Sequence, residues 1–382
     1  MTNRTNVLRE FSVPLIGGVV VALALVNLAP EQYRALVYAP VIAGLSLHFL
    51  TNDVFMVFFF AIAAVEITQS CLPGGDLNPP KKALNPLLAT LGGVVGPVSV
   101  YFLLNHWFGM PALANGWGIP IATDIALAWL VARFLFGRNH PAIAYLLLLA
   151  IADDAIGLAI IAIFYPNPEM AVAPVWLLLT AAGTGISYLL RRLAVRSYWT
   201  YLLLGGIPSW IGLFRAHLHP ALALVFVVPF LPHPFREHKH LFEEDPKDYS
   251  TLARFEHEWK VIVDFGLFLF GLANAGVGFA EVGAGTWLVL SSLLFGKSLG
   301  IFGFALLGVA LGFSLPQGMG KRTLLVLSLI AAIGFTVSLF IAGEAFADPV
   351  LAGQAKMGAM LSIGFAGLAF AVGRLLGIRP VK

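Results

Sequence analysis

The sequence is poor in cysteine and in charge. It contains one cysteine, Cys71, and only 11% of its 382 residues are Asp, Glu, Lys or Arg. A single cysteine cannot form a disulfide within the chain or build a thiolate metal cluster, which excludes a disulfide-stabilised secreted fold. So little charge, together with 59% apolar residues, lies far outside the range of soluble domains. The composition therefore indicates a polytopic membrane protein, and the net charge of +3 does not indicate nucleic-acid binding.

Stretches of about 20 apolar residues, long enough to cross a bilayer as a helix, recur along the whole chain. The first stretch is too long for the apolar core of a signal peptide, so we interpret it as a retained membrane helix. We expect an all-α protein in which residues 1–382 form a single transmembrane domain. The sequence predicts about twelve spans, near residues 11–29, 38–67, 83–105, 119–136, 141–165, 172–190, 198–213, 217–231, 260–280, 286–312, 323–346 and 351–373.

Positive charges are distributed unevenly between the two sides that these spans define. If the N-terminus is cytoplasmic, only Arg34, Arg215 and Lys356 fall on the outer side and Lys297 falls within a span. The rest of the 23 Lys and Arg residues then fall in inner segments. Cytoplasmic loops of membrane proteins carry such an excess of positive charge. The pattern predicts a multi-pass protein with an even number of spans and with both termini in the cytoplasm.

Several ionisable side chains interrupt the apolar spans, although each charge at a helix centre costs roughly 2.5 to 3.5 kcal/mol on insertion scales. Near mid-membrane three acids face a single base, whereas a structural ion pair needs one of each. A salt bridge that only locks two helices is the alternative, and it leaves two of the four residues unexplained. The excess of acid favours a cation site. The four residues are Asp124, Asp153, Asp154 and Lys297, while Asp53 and Asp264 lie in or near other spans.

The stretch "GWGIPIATDIALAW" carries a signal for an interrupted helix. Gly118 and Pro120 come just before Thr123 and Asp124, so the helix either breaks here or simply begins at Pro120 near the membrane surface. A break would expose carbonyl oxygens that are tolerated at membrane depth only where they line a cavity. Hydroxyl, carboxylate and carbonyl oxygens are hard ligands that suit an alkali cation better than a transition metal.

Taken together, these motifs resemble those of the NhaA-type sodium/proton antiporters of bacterial inner membranes. The resemblance runs in order along nearly the whole chain. It rests on "TND" at 51–53, "GWGIPIATDIALA" at 116–128, "LAIADDAIGLAI" at 149–160, "GLANAGV" at 271–277, "FGKSLG" at 295–300 and "AIGFTVSLFIA" at 332–342.

The resemblance implies a fold and a function. The family is itself an example of transporters built from inverted-topology repeats, with two interrupted helices that cross near mid-membrane. It implies that Asp153 and Asp154 are the paired functional carboxylates, with Asp154 as the direct Na⁺ ligand and Asp153 as the partner of Lys297. It also implies a location in the bacterial inner membrane, no cofactor, and Na⁺ or Li⁺ and H⁺ as substrates. The residues at the helix crossing would be Thr123, Asp124, Gly334, Phe335 and Thr336.

The chemistry of such a site follows from its acids. Burial and a neighbouring carboxylate both favour the protonated form of an aspartate, so protons and a cation compete for the same oxygens. Exposing that site alternately to the two sides exchanges protons for the cation without covalent chemistry. Two proton carriers per cation would make the exchange electrogenic, so that the membrane potential would also drive it.

The sequence departs from the family where relatives carry charged residues implicated in pH response. After Glu66 the run continues with the uncharged residues 68–70, which do not titrate between roughly pH 5 and 9. The remaining candidates for pH response or cation access are Asp53, Glu66, Glu256 and His257.

Two further departures concern packing and assembly. The family has Leu-Gly directly after the two aspartates, whereas this chain has Ala155 and Ile156 before Gly157. The first connection, "PEQYRALVYAP", is too short for the β-hairpin through which family members dimerise. We therefore expect a monomer or a weak homodimer within membrane lipid.

Three alternatives to sodium/proton exchange remain open at this point. A transporter of another cation, such as K⁺ or an organic cation, would use similar residues. An intramembrane aspartyl protease would need two facing carboxylates, but Asp153 and Asp154 are about 100° apart on one helix and no Gly-x-Gly-Asp motif accompanies Asp124. A retinal-type photoreceptor would use Lys297 as a Schiff base, which twelve spans and three buried acids fit poorly.

Overall fold

The computed structural model describes residues 13–42, 44–75, 77, 80–166, 171–233 and 250–378, and most of these residues are helical. Short 3₁₀ segments connect several of the helices. The helices are α1 (Val13–Leu28), α2 (Pro30–Tyr38), α3 (Leu47–Cys71), α4 (Pro80–Trp107), α5 (Ile125–Phe136), α6 (Pro141–Phe164), α7 (Leu177–Arg192), α8 (198–215), α9 (Thr251–Asn274), α10 (Ala284–Ala310), α11 (Lys321–Ala331), α12 (Phe335–Ala345), α13 (Pro349–Leu361) and α14 (Gly364–Leu375). The 3₁₀ segments are Pro111–Ile121, Pro174–Trp176, Pro220–Phe226, Val228–Phe230 and Phe279–Glu281.

The long apolar helices show that this is a helical membrane protein. By length and composition, the described residues contain five helices that could cross a membrane, or up to seven if each of two bent pairs counts as one span. The twelve predicted spans are therefore not all matched by long helices. The spans predicted near 198–213 and 217–231 form α8, which contains a π-helical turn, and two short 3₁₀ segments. Prolines explain part of the irregular helical structure at 217–231, since Pro220 and Pro229 lack the N–H that a continuous helix needs.

Two helix pairs are sharply bent. The 3₁₀ segment Pro111–Ile121 meets α5 at 54°, and α11 meets α12 at 44°. The two breaks touch, because the Asp124 N–H donates to the carbonyl oxygen of Ile333 at 2.7 Å. Pro120 lies inside the 3₁₀ segment before the break. The alternative in which Pro120 simply begins the helix is therefore wrong, and the predicted interruption is confirmed.

The first connection contains a small β-hairpin, contrary to the expectation from its length. The stretch "PEQYRALVYAP" forms α2, and the hairpin follows it, with β1 (Pro40–Ile42) antiparallel to β2 (Leu45–Ser46). Gly44 allows the tight turn because its φ of +81° lies in the left-handed region. The apolar residues of these strands led to their assignment to the predicted span 38–67. The all-α prediction holds apart from this two-stranded ribbon.

Helices α4 and α10 pack with their backbones in direct contact. A Cβ at Gly92 would overlap the carbonyl oxygen of Gly300, and a Cβ at Gly96 would overlap that of Gly296. The pairing of Gly92 with Gly300 and of Gly96 with Gly296 makes the two helices antiparallel. Small residues four apart on each helix allow this close approach in a membrane. The contact fixes α10, which carries Lys297, against α4.

Candidate functional site

Helix α6 brings the two adjacent aspartates into the interior of the protein. His140 caps the helix by accepting a hydrogen bond from the Ala142 N–H at 3.1 Å, and Pro141 occupies its first turn. The helix is deeply placed, with 67% of its most apolar stretch buried. Asp153 and Asp154 lie in its middle and face the two helix breaks.

Asp153 joins α6, α10 and the first break through one carboxylate oxygen. Its Oδ2 accepts from the Lys297 ammonium at 2.7 Å and from the Thr123 hydroxyl at 2.7 Å. The Lys297 side chain is fully buried and also donates to the carbonyl oxygen of Ile121. The other carboxylate oxygen, Oδ1, is buried and has no hydrogen-bond partner among the described residues. The Lys297 ammonium thus hydrogen-bonds Asp153 and acts on Asp154 electrostatically, without a hydrogen bond.

Asp124 has a different kind of counter-charge. Its carboxylate accepts from the Leu127 N–H at 2.9 Å, from the Thr336 N–H at 3.2 Å and from the Thr336 hydroxyl at 2.8 Å. It therefore caps α5 and also sits at the first turn of α12. Both helix N-termini carry partial positive charge, which stabilises an anion placed between them. The charge of Asp124 is balanced by backbone dipoles and not by a basic side chain.

The carbonyl ends of the two segments that precede the breaks also have polar partners. Lys297 binds the carbonyl at Ile121, the end of the first half of one bent pair. The Thr123 hydroxyl, which also contacts Asp153, lies 2.9 Å from the carbonyl oxygen of Ala331 at the end of α11. Lys297 thus supplies a donor to the carbonyl at the first break, and the one proton of the Thr123 hydroxyl can be donated either to Ala331 or to Asp153.

Asp154 is the acid left without such compensation. Its Oδ1 is buried and has no hydrogen-bond partner among the described residues. Its surroundings are acidic on balance, since Asp153, Glu66 and Asp124 act on it electrostatically against the single charge of Lys297. Asp153 and Asp154 each have one buried carboxylate oxygen without a hydrogen-bond partner among the described residues. A proton or a small cation can satisfy these oxygens.

Sequence reasoning missed the residues that hold the breaks in shape. The Ser338 hydroxyl donates to the carbonyl oxygen of Ile119 at 2.7 Å, and the Ser362 hydroxyl accepts from the Gly334 N–H at 3.2 Å. The Tyr165 hydroxyl accepts from the Gly118 N–H at 2.8 Å. In the sequence, each of these three residues is marked only by a hydroxyl-bearing side chain in or next to an apolar span.

The candidate residues for pH response or cation access do not form one group. Glu66 lies 3.6 Å from the Lys260 ammonium, which is 4.0 Å from Glu256, and Gln69 donates to Glu256 at 2.8 Å. This network joins α3 to α9 and includes two of the candidates. His257 is exposed. Lys260, which links the two acids, was not among the residues predicted from the sequence.

Asp53 lies at the other end of α3. It belongs to a π-helical turn, Leu50–Phe55, and its backbone carbonyl accepts from the Trp210 indole at 2.7 Å. Asp53 and Glu66 are separated by 13 positions, which correspond to about 20 Å of helix. The charged groups that act on Asp53 are His219 and Glu344. The structure therefore separates Asp53 from the network at Glu66.

Comparison with known proteins gives the chain its family. The family model described as Na⁺/H⁺ antiporter 1 matches residues 7–373. The chain is 69% identical over 379 residues to the Na(+)/H(+) antiporter NhaA of Geotalea uraniireducens (strain Rf4), covering 99% of this chain and 98% of that protein. It is 64% identical to the Na(+)/H(+) antiporter NhaA of Geobacter sulfurreducens over the full length of both.

A solved structure shares the fold at low sequence identity. The sodium proton antiporter of Methanocaldococcus jannaschii superposes with a TM-score of 0.52 at 14% identity, covering 95% of this chain and 91% of that one. At this identity the likeness concerns the fold alone. The family model and the full-length relatives carry the assignment: the chain belongs to the Na⁺/H⁺ antiporter 1 family.

Proposed function

We propose that this protein is a secondary antiporter that exchanges Na⁺ or Li⁺ for protons across the bacterial inner membrane. As a member of an antiporter family it is a transporter and not an enzyme, it needs no cofactor, and its substrates are Na⁺ and H⁺. The observation that carries the proposed site is the unpartnered oxygen of Asp154 beside the Asp153–Lys297 pair. Both oxygens of Asp124 accept hydrogen bonds and Asp153 is paired with Lys297, so Asp154 is the acid without a compensating partner.

The proposed exchange is a competition for the carboxylates of α6. In the cation-bound form, Na⁺ would be held by Asp154 and Asp153, with the Thr123 hydroxyl and the carbonyls of the break within reach as further hard oxygen ligands. In the proton-bound form, Asp154 carries a proton and Lys297 stays on Asp153.

Alternating access requires the two sides of this site to open in turn. We propose that the two bent pairs belong to inverted-topology repeats in a single domain of about twelve spans, with both termini in the cytoplasm. The glycine contacts support a local two-fold relation. If Gly92 corresponds to Gly296 and Gly96 to Gly300, the Gly92–Gly300 contact maps onto the Gly96–Gly296 contact.

The site is tested by substituting each aspartate of the pair. Asp153→Asn and Asp154→Asn keep the side-chain shape and remove the titrating group, so each should abolish Na⁺-dependent proton movement in everted membrane vesicles. A pH-sensitive dye reports that movement, and Glu31→Gln, at an exposed acid of α2, serves as the control. Wild-type dye response in either aspartate variant would remove the site assignment.

The same assay addresses the transported cation. Adding Na⁺, Li⁺ and K⁺ in turn to wild-type vesicles separates a sodium exchanger from a transporter of another cation. We expect a response to Na⁺ and Li⁺, because a compact site with two carboxylates suits a small cation. A response to K⁺ alone would support the alternative.

We also propose a monomer or a weak homodimer. Strands of three and two residues offer only a short edge for pairing with a second copy. Light scattering in detergent at low protein concentration should give mainly the monomer mass. A stable dimer under those conditions would contradict this.

A further inference from the structure

Gly157 of α6 is a buried glycine whose packing does not require a glycine. It follows the aspartate pair, at the point where the sequence departs from the family pattern. Apart from its own helix backbone and its chain neighbours, no described atom lies within 4 Å of the position that a Cβ at Gly157 would take. Gly157 is nevertheless buried. By contrast, Gly185, Gly303 and Gly367 leave the same open space in other helices and are exposed.

The glycine at this position lowers the stability of the helix. Glycine inside a helix is destabilising relative to alanine, because it loses more backbone freedom on folding. Close helix contacts require glycine elsewhere in the protein, as at Gly96, where a Cβ would overlap the carbonyl oxygen of Gly296. No described atom excludes an alanine methyl at Gly157 in this way. Helix packing therefore does not account for Gly157, and the open space itself needs an explanation.

The open space lies beside the two carboxylates. Gly157 comes four residues after Asp153 and three after Asp154, so the three residues lie on one face of α6. The rise from Asp154 to Gly157 is about 4.5 Å. In a helix the Cα–Cβ bond tilts toward the N-terminus, so a side chain at position 157 would extend toward the aspartates. Gly157 thus keeps room for at least a methyl group next to the proposed cation site.

Few carboxylate oxygens at this site are free to bind a cation. Asp153 and Asp154 each have one buried oxygen, Oδ1, without a hydrogen-bond partner among the described residues. The other oxygen of Asp153 is already in contact with Lys297 and Thr123. Hard cations take several oxygen ligands, and water commonly completes the set. A water needs both room and polar partners. The space at Gly157 supplies the room, and the carboxylate oxygens beside it are polar partners.

We propose that Gly157 is a specificity-determining residue, because the space that it leaves admits a water molecule as a ligand of the bound Na⁺. Li⁺ is smaller than Na⁺ and needs fewer ligands, so its binding depends less on this water. Selectivity between cations of equal charge follows from the size of the site and the number of its ligands. Gly157 therefore sets the relative affinity for Na⁺ and Li⁺. The inference rests on the exchange function proposed above and names a determinant of its ion selectivity.

The test compares Na⁺ with Li⁺ in everted vesicles that contain Gly157→Ala. The KM for each ion is measured from the response of the pH-sensitive dye at one alkaline pH, where competition by protons is weakest. The alanine methyl takes the place of the water, so the KM for Na⁺ should rise. The KM for Li⁺ should stay close to the wild-type value, so the ratio of the two KM values should change by about tenfold.

Gly157→Ser separates the loss of a ligand from the loss of space. The serine side chain is larger than that of alanine, but it places an oxygen in the space beside the aspartates. Serine should therefore restore part of the Na⁺ affinity that alanine removes. A serine variant at least as defective for Na⁺ as the alanine variant would overturn the proposal, because volume alone would then explain both.

Two further measurements separate this role from a structural one. Gly185→Ala, at an exposed glycine of α7 with the same open space, should leave both KM values unchanged. Gly157→Ala should melt at a temperature at least as high as that of the wild type, because alanine favours the helix and meets no neighbouring atom. A lower melting temperature would show that the methyl does not fit, which would overturn the proposal.

The outcomes for the two ions are distinct. Wild-type KM values for both ions in Gly157→Ala overturn the proposal, and so does an equal rise for Na⁺ and Li⁺, which would indicate general crowding of the aspartates. A selective rise for Na⁺ with partial recovery in Gly157→Ser supports it. The proposed exchange function fails separately, if wild-type vesicles show no proton movement on addition of either ion.

Discussion

Lys297→Ala should destabilise the protein more than it changes cation affinity. The substitution removes an ammonium that is fully buried and that contacts both Asp153 and the carbonyl oxygen of Ile121. Removing one partner of a buried ion pair typically costs about 3 to 5 kcal/mol, because the other charge is left unpaired. Here Asp153 keeps the Thr123 hydroxyl and can take up a proton, so we expect a value at the lower end, near 3 kcal/mol.

The transport consequence follows from the same geometry. Without Lys297, Asp153 must bind a proton to become neutral, so the number of protons moved per Na⁺ should change. We expect Asp154, which forms no hydrogen bond with Lys297 in the structure, to be the main Na⁺ ligand, so the KM for Na⁺ should change by less than about threefold, or less than about 0.7 kcal/mol. Reconstituted protein allows both the transport current and the thermal melting temperature to be measured.

A double variant provides the sharpest control. Lys297→Met with Asp153→Asn replaces the charged pair by groups of similar volume, and such replacements of buried pairs are often neutral or stabilising. We expect the double variant to melt at a higher temperature than Lys297→Ala, although it should not transport. If Lys297→Ala retains the wild-type current and melting temperature, the pairing with Asp153 has no energetic role and the reasoning fails.

The remaining predictions concern the helix breaks, the helix contact and the pH dependence. Asp124→Asn keeps a hydrogen-bond acceptor but removes the charge between two helix N-termini, so it should lower the free energy of unfolding by about 1 to 2 kcal/mol. An unchanged thermal melt would refute compensation by the helix dipoles. Gly300→Ala should destabilise the contact between α4 and α10. Gly303→Ala should be neutral, because a Cβ there meets nothing within 4 Å. Equal effects of the two substitutions on the melting temperature would contradict the role of the helix contact. Lowering the pH should raise the KM for Na⁺ and leave the maximal rate nearly unchanged, because protons bind the carboxylates that Na⁺ needs. A maximal rate that falls below neutral pH at every Na⁺ concentration would instead indicate a separate sensor.

The cluster of buried charged residues could be predicted from the sequence because charge inside an apolar span is expensive. Asp124, Asp153, Asp154 and Lys297 stood out for that reason, and the structure places them around the two breaks. The division of roles among the acids could not be predicted in the same way. Asp124 is compensated by the N-termini of α5 and α12, and helix ends meet only after the chain has folded.

The same rule extends to two other ionisable residues in the predicted spans. Glu344 lies in the predicted span 323–346 and His219 at the start of the span 217–231, so both could have been recognised as buried ionisable residues. Their contact could not, because the two residues are 125 positions apart. The β-hairpin was missed for another reason. Its apolar strands have the composition of a membrane span, and only the turn at Gly44 distinguishes them.

The structure explains why two adjacent aspartates are retained in a buried helix. A single buried acid with a lysine partner would form a neutral, stable pair and would have little affinity for a cation. A single acid without a partner would remain protonated and would respond only to pH. When only one of two adjacent acids is paired with the lysine, and Asp124 is balanced separately by helix dipoles, the second carboxylate is left uncompensated. In the exchange proposed above, either a proton or a Na⁺ satisfies that remaining charge, and this equivalence would allow one site to exchange the two.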